Sequence, residues 1–195
     1  MLSRHSDNSA RWKSNVFWGE IAPCDHFLQI YEDEGVLLDT LSGFVGGGLL
    51  SGESAVVIAT ESHLRQLAER LERADIDLSD LRSRDQYLPL LAGETLERFM
   101  VRGWPDEDRF VDVVAGILTR ARGDGRKVRA FGEMVALLWA QGNVAATVRL
   151  EFLWQKLCQA EGFSLFCAYP KAGFTRDLSD SITEICAAHS RVIAA

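Results

Sequence analysis

Carboxylates, a histidine and a tyrosine follow three stretches of this chain that are predicted to be strands. Tyr31 and Glu32 come at the end of the first stretch. Glu61 and His63 follow the second stretch, and Glu133 follows the third. Open α/β sheets bind ligands at the carboxyl ends of their parallel strands. The acidic and aromatic character of this set predicts a crevice for a cationic or neutral organic ligand rather than for an anion.

Three further candidates lie on two helices predicted later in the chain. Trp139 belongs to the first of these helices, and Glu151 and Trp154 belong to the second. Glu151 lies beside an apolar stripe, where a carboxylate needs a partner because burial penalises its charged form. Arg129 or Arg149 could supply that partner, so a structural ion pair is the alternative to a ligand role for Glu151. A core position is the alternative role for both tryptophans.

Two more residues complete the predicted ligand-binding set. His26 lies just before the first strand, and Tyr169 ends the last one. Helix capping or hydrogen bonding of a loop amide is the alternative role for any residue at a strand end, but for Glu133 a ligand role is favoured. A convergence of Glu32, Glu61 and Glu133 for acid–base catalysis is left open, because their spacing neither requires nor forbids it.

A glycine-rich segment nearly matches the nucleotide-binding pattern G-x-x-x-x-G-K-[ST]. It covers residues 47–54 and has the sequence GGLLSGES. Glu53 replaces the lysine that neutralises phosphate, and the segment precedes its strand, whereas a phosphate loop follows one. We therefore predict that the glycines end a helix and turn the chain into the strand. Ser62 and His63 are adjacent and no G-x-S-x-G motif occurs, so nucleophilic catalysis is not expected either.

The bulk composition predicts a folded cytoplasmic protein. Of the 195 residues 47% are hydrophobic, which provides a core and excludes a wholly disordered chain. The net charge is −7, and no segment concentrates lysine and arginine, so direct nucleic-acid binding is not expected. No apolar run approaches the roughly 20 residues that span a bilayer, and the amino terminus lacks a signal-peptide pattern. Neither membrane attachment nor secretion is therefore expected.

The four cysteines are predicted to be free thiols. Cys24, Cys158, Cys167 and Cys186 are widely spaced and form no Cys-x-x-Cys pair. Cys24 lies two residues from His26, but a zinc site needs two more ligands, which this local spacing does not offer. The sequence therefore predicts no metal site and no cofactor.

Short apolar runs alternate with helical patterns along the chain, which is typical of βαβ units. The predicted strands cover residues 27–31, 55–59, 87–91, 128–131 and 164–169. The predicted helices include residues 36–45, 94–100 and 177–188. The second strand is apolar throughout, which suits a strand covered on both faces of a parallel sheet. The predicted fold class is therefore α/β, with a mostly parallel sheet of about five strands.

The chain is predicted to divide into an arm and one domain. Residues 1–22 form a flexible or loosely docked arm, and residues 23–195 form the single domain. Trp12, Phe17 and Trp18 indicate that part of the arm packs onto another surface. That surface could belong to the domain itself, to a partner or to a second copy of the chain.

Several blocks of sequence resemble the MEDS domain, a sensory domain named from methanogen and methylotroph regulators. The most distinctive block is GEMVALLWAQGN, at residues 132–143. The others are His26 with the Tyr31-Glu32 pair, GLLSGE at residues 48–53, LEFLW at residues 150–154 and FSLFCAYP at residues 163–170. Together they span about residues 26–174, which is most of the chain.

The resemblance implies a RecA-like three-layer sandwich that has lost its nucleotide machinery. It also implies bacterial or archaeal signalling, in which such domains sense small organic compounds. Because no output domain is recognisable, the partner would be a histidine kinase, an anti-sigma-type module or a transcription regulator. Our first hypothesis is thus a non-catalytic sensor of a small organic ligand. The alternative is a ligand-free interaction or scaffold module, with a homodimer left open and residual nucleotide binding as a third hypothesis.

Overall fold

A six-stranded parallel sheet forms the centre of the protein, in a computed structural model that describes residue 18 and residues 21–173 and 179–193. The strands of these residues are β1 (His26–Tyr31), β2 (Ser54–Ala59), β3 (Tyr87–Leu91), β4 (Met100–Val101), β5 (Trp104–Pro105), β6 (Val128–Gly132), β7 (Ser164–Pro170) and β8 (Arg191–Ile193). The sheet order is β3-β2-β6-β7-β1-β8, and each neighbouring pair is parallel. Strands β4 and β5 form a separate antiparallel hairpin.

Helices connect the strands and begin mostly at side-chain caps. They are α1 (Glu34–Leu50), α2 (Glu61–Arg73), α3 (Leu78–Ser83), α4 (Ala92–Glu97), α5 (Glu107–Arg122), α6 (Met134–Ala140), α7 (Val144–Glu161) and α8 (Ser179–Ala187). The side chains of Asp33, Thr60 and Asn143 accept hydrogen bonds from backbone amides in the first turns of α1, α2 and α7. These bonds satisfy amides that have no partner inside the helix.

The helices form two outer layers, each with its own apolar core against the sheet. Side chains of α1, α2 and α3 pack on one face, and those of α4 to α8 pack on the other. Strand β2 is buried along its whole length, as its apolar sequence predicts. The structure therefore confirms the predicted α/β class and its three-layer arrangement, with six strands in the sheet where about five were expected.

The prediction that the glycines end a helix and turn the chain into a strand is confirmed only for Gly52, which has a φ of +79° between α1 and β2. For the range Gly46–Gly48 it is wrong, because helix α1 continues through these residues to Leu50. The reason lies in packing, because a Cβ atom on Gly48 would lie 2.8 Å from both Cδ and Nε of the Arg129 side chain. Glycine is therefore needed here for the close approach of a neighbouring side chain rather than for a turn.

Arg129 explains why glutamate stands where a phosphate loop would carry lysine. The arginine side chain is 3% exposed, its Nη1 donates to the Phe44 carbonyl at 3.0 Å, and its Nε donates to the Glu53 carboxylate. Glu53 therefore neutralises a buried arginine at the amino edge of the sheet. This pairing gives the segment a structural role that needs no nucleotide.

Further elements also differ from the sequence prediction. Helix α4 ends at Glu97, so Met100 belongs to β4 instead of to the helix predicted over residues 94–100. Strand β8 and the β4–β5 hairpin are additional, and both consist of strands of two or three residues. Segments this short carry too few residues for a period-2 pattern to be recognised.

One aromatic residue of the predicted arm packs onto the domain. The Trp18 ring makes edge contacts with Phe27 and Phe44, at centroid distances of 5.1 and 5.0 Å, and its Nε1 donates to the Thr40 carbonyl. Trp12 and Phe17 lie outside the described residues. Within the described part of the chain, no helix has the length and apolar character needed to cross a membrane.

Candidate functional site

The ten residues predicted to serve one ligand crevice fall into two buried groups, two buried tryptophans and two exposed carboxylates. Tyr31, His63 and Glu133 meet at the carboxyl ends of the strands, on the face covered by α1 and α2. His26 and Glu151 meet on the opposite face, beneath α7 and α8. The structure therefore does not bring these residues together into a single crevice.

The first group, Tyr31, His63 and Glu133, is called the strand-end cluster below. Its members are only 5–7% exposed. His63 Nδ1 lies 2.7 Å from Glu133 Oε1, and the Thr60 backbone N–H donates to Glu133 Oε2 at 2.8 Å. Both carboxylate oxygens of Glu133 thus have partners, and one of those partners begins α2. Glu34, at the start of α1, lies 3.9 Å from His63 Nε2.

The electrostatics of the strand-end cluster follow from this geometry. The hydrogen bond to Glu133 raises the pKa of His63 against the opposing effect of burial. Burial raises the pKa of Tyr31 to about 12, and the nearby Glu133 and Glu34 carboxylates add to the shift. At neutral pH the tyrosine is therefore a neutral hydroxyl beside an acid–imidazole pair.

The strand-end cluster lies at the topological switch point of the sheet. Strands β2 and β6 are neighbours, yet the chain leaves β2 towards β3 and leaves β6 towards β7. The helices after these strands, α2 and α6, pack on opposite faces. Such a divergence opens a crevice at the carboxyl ends, and this is where open α/β sheets bind ligands. Glu133 and His63 lie on its two sides.

The second group is called the interior cluster and consists of His26, Glu151, Cys167 and His189. His26 Nε2 lies 3.6 Å from Glu151 Oε2 and 3.4 Å from Cys167 Sγ. His189 Nε2 lies 3.5 Å from the same carboxylate oxygen. One ligand-type atom from each of the four residues falls within 4.8 Å of all the others. The side chains of His26, Glu151 and His189 are at most 1% exposed.

Four separate segments supply the interior cluster. His26 begins β1, Glu151 lies in the middle of α7, and His189 lies between α8 and β8. Cys167 and Tyr169 alternate with Phe166 and Ala168 along β7, so both face the α7 side of the sheet. The Tyr169 hydroxyl donates to Glu151 Oε1. This bond leaves Glu151 Oε2 facing the two imidazoles.

Backbone carbonyls orient both histidines of the interior cluster. His26 Nδ1 lies 3.0 Å from the Ala188 carbonyl, and His189 Nδ1 lies 2.6 Å from the Ile185 carbonyl. A carbonyl only accepts hydrogen bonds, so each Nδ1 carries a proton and each Nε2 is directed to the other members of the cluster. There the rings of His26 and His189 stack at a centroid distance of 3.9 Å.

Burial shifts the pKa of three members of the interior cluster. Burial lowers the pKa of His26 to about 3, and the neighbouring His189 adds to this effect. Burial raises the pKa of Glu151, and it raises the pKa of the Cys167 thiol well above its ordinary value. Among the described residues, Glu151 Oε2 and His189 Nε2 have no hydrogen-bond partner. These two buried atoms lie 3.5 Å apart.

Comparison with protein families places the whole of this arrangement in one known domain. The family described as "MEDS: MEthanogen/methylotroph, DcmR Sensory domain" matches residues 25–190, a range that contains both clusters. The chain belongs to the MEDS family. MEDS is a sensory domain and not a known enzyme family, so membership indicates a sensory or regulatory role. A search of curated proteins finds no match to the chain.

The tryptophans of this MEDS domain occupy core positions near the interior cluster. Trp139 is 4% exposed, and its ring meets Tyr169 edge-on at a centroid distance of 6.0 Å. Trp154 is 1% exposed, lies against Gly132 and makes an edge contact with Phe110. Trp139 therefore packs against the tyrosine that bonds Glu151, and Trp154 packs against the residue before Glu133. A direct ligand contact by either ring stays a prediction.

Two predicted site residues of the MEDS domain lie at the surface. Glu61 is exposed in the first turn of α2. Glu32 is 68% exposed and pairs with Lys171. Glu32 and Lys171 also line a shallow depression of about 480 Å³ beside the ends of β1 and β8. Its other lining residues are Ile30, Asp33, Val36, Val192 and Ile193.

The predicted arginine partner of Glu151 is wrong. Arg149 pairs with Glu107 at 2.6 Å, and Arg129 pairs with Glu53. Glu151 instead accepts a hydrogen bond from Tyr169. The helical position of Arg149 directs it away from the core, two residues before the buried carboxylate.

Two members of the interior cluster, Cys167 and His189, are absent from the predicted site. Cys167 could have been found from β7, because alternation places it on the same face as Tyr169. No local signal points to His189. It follows a helix, and it reaches Glu151 only because β8 adds to the sheet beside β1.

Proposed function

We propose that this MEDS domain is a non-catalytic sensor that binds a small organic ligand at the carboxyl edge of the sheet. The observation that carries the proposal is the strand-end cluster, an acid–imidazole pair and a neutral tyrosine at the topological switch point. The sensory character of the family supports the same role. The Glu53–Arg129 pair, at the other edge of the sheet, leaves the glycine-rich segment without a phosphate-binding lysine.

The charges of the strand-end cluster favour a neutral or cationic ligand. Glu133 and Glu34 place two carboxylates around one imidazole, and the Tyr31 hydroxyl stays neutral. An anion would be repelled by this set, whereas a hydroxyl, amine or amide could hydrogen bond to it. The depression beside the ends of β1 and β8 has an apolar wall that suits hydrocarbon groups, and its volume is within the range of small-molecule sites.

A ligand at this position would act on the connection between two layers. His63 lies in the first turn of α2, and Glu133 directly precedes α6. Their hydrogen bond therefore joins helices on opposite faces of the sheet. We propose that a ligand competing for either side chain changes this connection. A partner protein, such as a histidine kinase, an anti-sigma-type module or a transcription regulator, would then read the altered helix surface.

The test is a thermal-shift screen of neutral and cationic organic compounds against the wild type, followed by calorimetry on each hit. Glu133→Gln and His63→Gln are expected to weaken binding of a true ligand by at least about tenfold, which corresponds to about 1.4 kcal/mol. Glu53→Gln is the matched control, because it alters a partly buried ion pair at the opposite edge of the sheet. It should leave ligand affinity unchanged.

Two results would contradict the sensor proposal. In the first, no compound stabilises the wild type, which would favour the ligand-free interaction module. In the second, every hit binds Glu133→Gln and His63→Gln as tightly as the wild type, which would place the ligand elsewhere. Circular dichroism on both variants confirms that a loss of binding is not a loss of fold.

A further inference from the structure

We propose that the interior cluster is a binding site for a divalent transition-metal cation of the Zn²⁺ class. The ligands would be the two imidazole Nε2 atoms, one carboxylate oxygen and one thiolate sulfur. The site lies on the α7 side of the sheet and does not depend on the ligand proposed for the strand-end cluster. It replaces the expectation of no metal site that the local cysteine spacing suggested.

The distances between the ligand atoms are those of a four-coordinate site. Zinc bonds to nitrogen, oxygen and sulfur are about 2.0–2.3 Å long, so the edges of the coordination tetrahedron measure about 3.3–3.7 Å. Three measured pairs, at 3.4, 3.5 and 3.6 Å, fall in this interval. The atoms all lie within 4.8 Å of one another, so the widest pair needs to close by only about 1 Å.

Charge balance favours a divalent cation in the interior cluster. His26 Nε2 and His189 Nε2 both lie within 3.6 Å of Glu151 Oε2, and neither Glu151 Oε2 nor His189 Nε2 has a hydrogen-bond partner among the described residues. A cation of charge +2 bound to two neutral imidazoles, a thiolate and a carboxylate gives a site of zero total charge. Such a buried site carries no uncompensated charge.

The surroundings of the ligands resemble the outer shell of known metal sites. Metal-bound histidine usually donates its other ring N–H to a carbonyl or carboxylate, and bound carboxylates are themselves hydrogen-bonded. Here each Nδ1–H faces a backbone carbonyl, and the Tyr169 hydroxyl holds the second oxygen of Glu151. These contacts orient three ligands before any cation arrives. Gln155 adds a further acceptor 3.0 Å from His26 Nδ1.

The donor set selects the class of cation. Two imidazoles, a thiolate and a carboxylate favour Zn²⁺ or Co²⁺ over Mg²⁺ and Ca²⁺, which prefer oxygen ligands and higher coordination numbers. Four protein ligands from buried positions indicate a closed, structural site, since a catalytic zinc site keeps one position for water.

Metal binding would attach the carboxyl-terminal segment to the sheet. His189 is the one ligand from the segment between α8 and β8, and the other ligands belong to β1, α7 and β7. The β8 strand has only three residues paired with β1. We therefore expect the cation to slow hydrogen exchange in α8 and β8 more than in β2, which is buried independently of the interior cluster.

The experiment titrates the chelator-treated full chain with Zn²⁺ and with Co²⁺. We expect one cation per chain, a higher unfolding temperature, and a sulfur-to-cobalt charge-transfer band. Cys167→Ser should remove the band, and His189→Gln should weaken Zn²⁺ binding by more than about 100-fold, because even outer-shell partners change affinity 10–100-fold. The matched controls are Cys158→Ser, which alters another buried thiol, and His63→Gln, which alters a buried histidine on the other face.

Each outcome decides the proposal. Stoichiometric binding that Cys167→Ser and His189→Gln abolish, and that both control variants keep, supports it. Absence of Zn²⁺ binding to the wild type overturns it, and so does binding that persists unchanged in both ligand variants. If a ligand variant fails to fold, the wild type still decides, because a chelator-treated chain that Zn²⁺ neither stabilises nor protects from hydrogen exchange contradicts the site. Failure of this test leaves the organic ligand at the strand-end cluster untouched.

Discussion

The strand-end cluster and the interior cluster lie on opposite faces of one sheet and accommodate buried acid and imidazole in different ways. In the strand-end cluster both oxygens of Glu133 are hydrogen-bonded, one to His63 and one to the Thr60 amide. In the interior cluster one oxygen of Glu151 and one nitrogen of His189 have no such partner among the described residues. The carboxylate of the first cluster is thus fully hydrogen-bonded within the protein, and that of the second cluster is not.

This difference distinguishes a buried carboxylate that supports the fold from one that belongs to a binding site. Buried polar atoms in native proteins are nearly always paired, so a buried atom without a partner needs an explanation. The burial of Glu133 has a structural reason, because its carboxylate accepts a hydrogen bond from the Thr60 amide and fixes the beginning of α2. The second oxygen of Glu151 has no such reason, although the burial of this residue and its tyrosine partner show that the fold holds it in place. The convergence of two imidazole Nε2 atoms on Glu151 Oε2 is explained by the metal site that we propose.

The largest expected effect is the stabilisation of the protein by Zn²⁺, which should depend on the interior cluster and not on the strand-end cluster. At a free Zn²⁺ concentration 1,000 times the dissociation constant, the wild type should gain about 4 kcal/mol of unfolding free energy. Glu151→Gln should gain nothing, because the amide cannot replace the anionic ligand. Urea unfolding with and without Zn²⁺ measures both values.

The corresponding change in the strand-end cluster should keep the whole Zn²⁺ effect. Glu133→Gln alters a carboxylate of similar burial that has no proposed metal role. An equal loss of Zn²⁺ stabilisation in Glu133→Gln and Glu151→Gln would show that the two clusters are not independent.

A smaller effect is expected when the strand-end cluster itself is opened. Glu133→Ala removes the acceptor for His63 and for the Thr60 amide, so one buried and one partly buried group lose their partner. Such a loss costs about 1–3 kcal/mol of unfolding free energy. Glu61→Ala is the control, since Glu61 is an exposed carboxylate in the same turn of α2. Equal urea midpoints for Glu133→Ala and the wild type would remove the supporting role.

The strand-end cluster is also expected to make the stability of the protein depend on pH. Because Glu133 raises the pKa of His63 in the fold, protonated His63 stabilises the protein fully below the unfolded-state pKa of about 6.5. The contribution is lost as the pH rises through the raised pKa. Glu34 and Tyr31 also face this imidazole, and the Glu34 carboxylate acts in the same direction.

Unfolding by urea between about pH 6 and 9 measures this dependence. His63→Gln should flatten the decrease in unfolding free energy above pH 6.5, because it removes the titrating group. If the unfolding free energies of the wild type and of His63→Gln change equally over this interval, the assignment is contradicted.

The features that the sequence predicts well are those with a local pattern. The apolar run of β2 and the period-3.6 stripe of α7 identify buried elements, and both are found where predicted. The position of Glu133 after β6 identifies the carboxyl edge without knowledge of strand order, because each parallel strand ends at that edge. Glycine spacing, in contrast, predicts a turn at Gly46–Gly48 where the helix in fact continues, since the close approach of Arg129 is not visible in one segment.

The features that the sequence misses depend on strand order. His26 and Glu151 are 125 positions apart, and His189 joins them only after β8 pairs with β1. Neither the period of a helix nor that of a strand contains this information. The Cys24–His26 spacing considered for zinc was too local, because the sulfur near His26 comes from Cys167 on the neighbouring strand β7.

The smallest expected effect concerns Glu32, an exposed carboxylate that belongs to neither cluster. The Lys171 ammonium lowers the pKa of Glu32, but the two side chains are 68% and 63% exposed, so water and salt screen their attraction. Glu32→Gln should leave the urea midpoint and the Zn²⁺ affinity unchanged. The Glu32→Gln variant is informative for ligand binding, because Glu32 lines the depression whereas Glu133 lies at the switch point. A hit weakened by Glu32→Gln but not by Glu133→Gln would move the sensing site out of the strand-end cluster and onto the rim between β1 and β8.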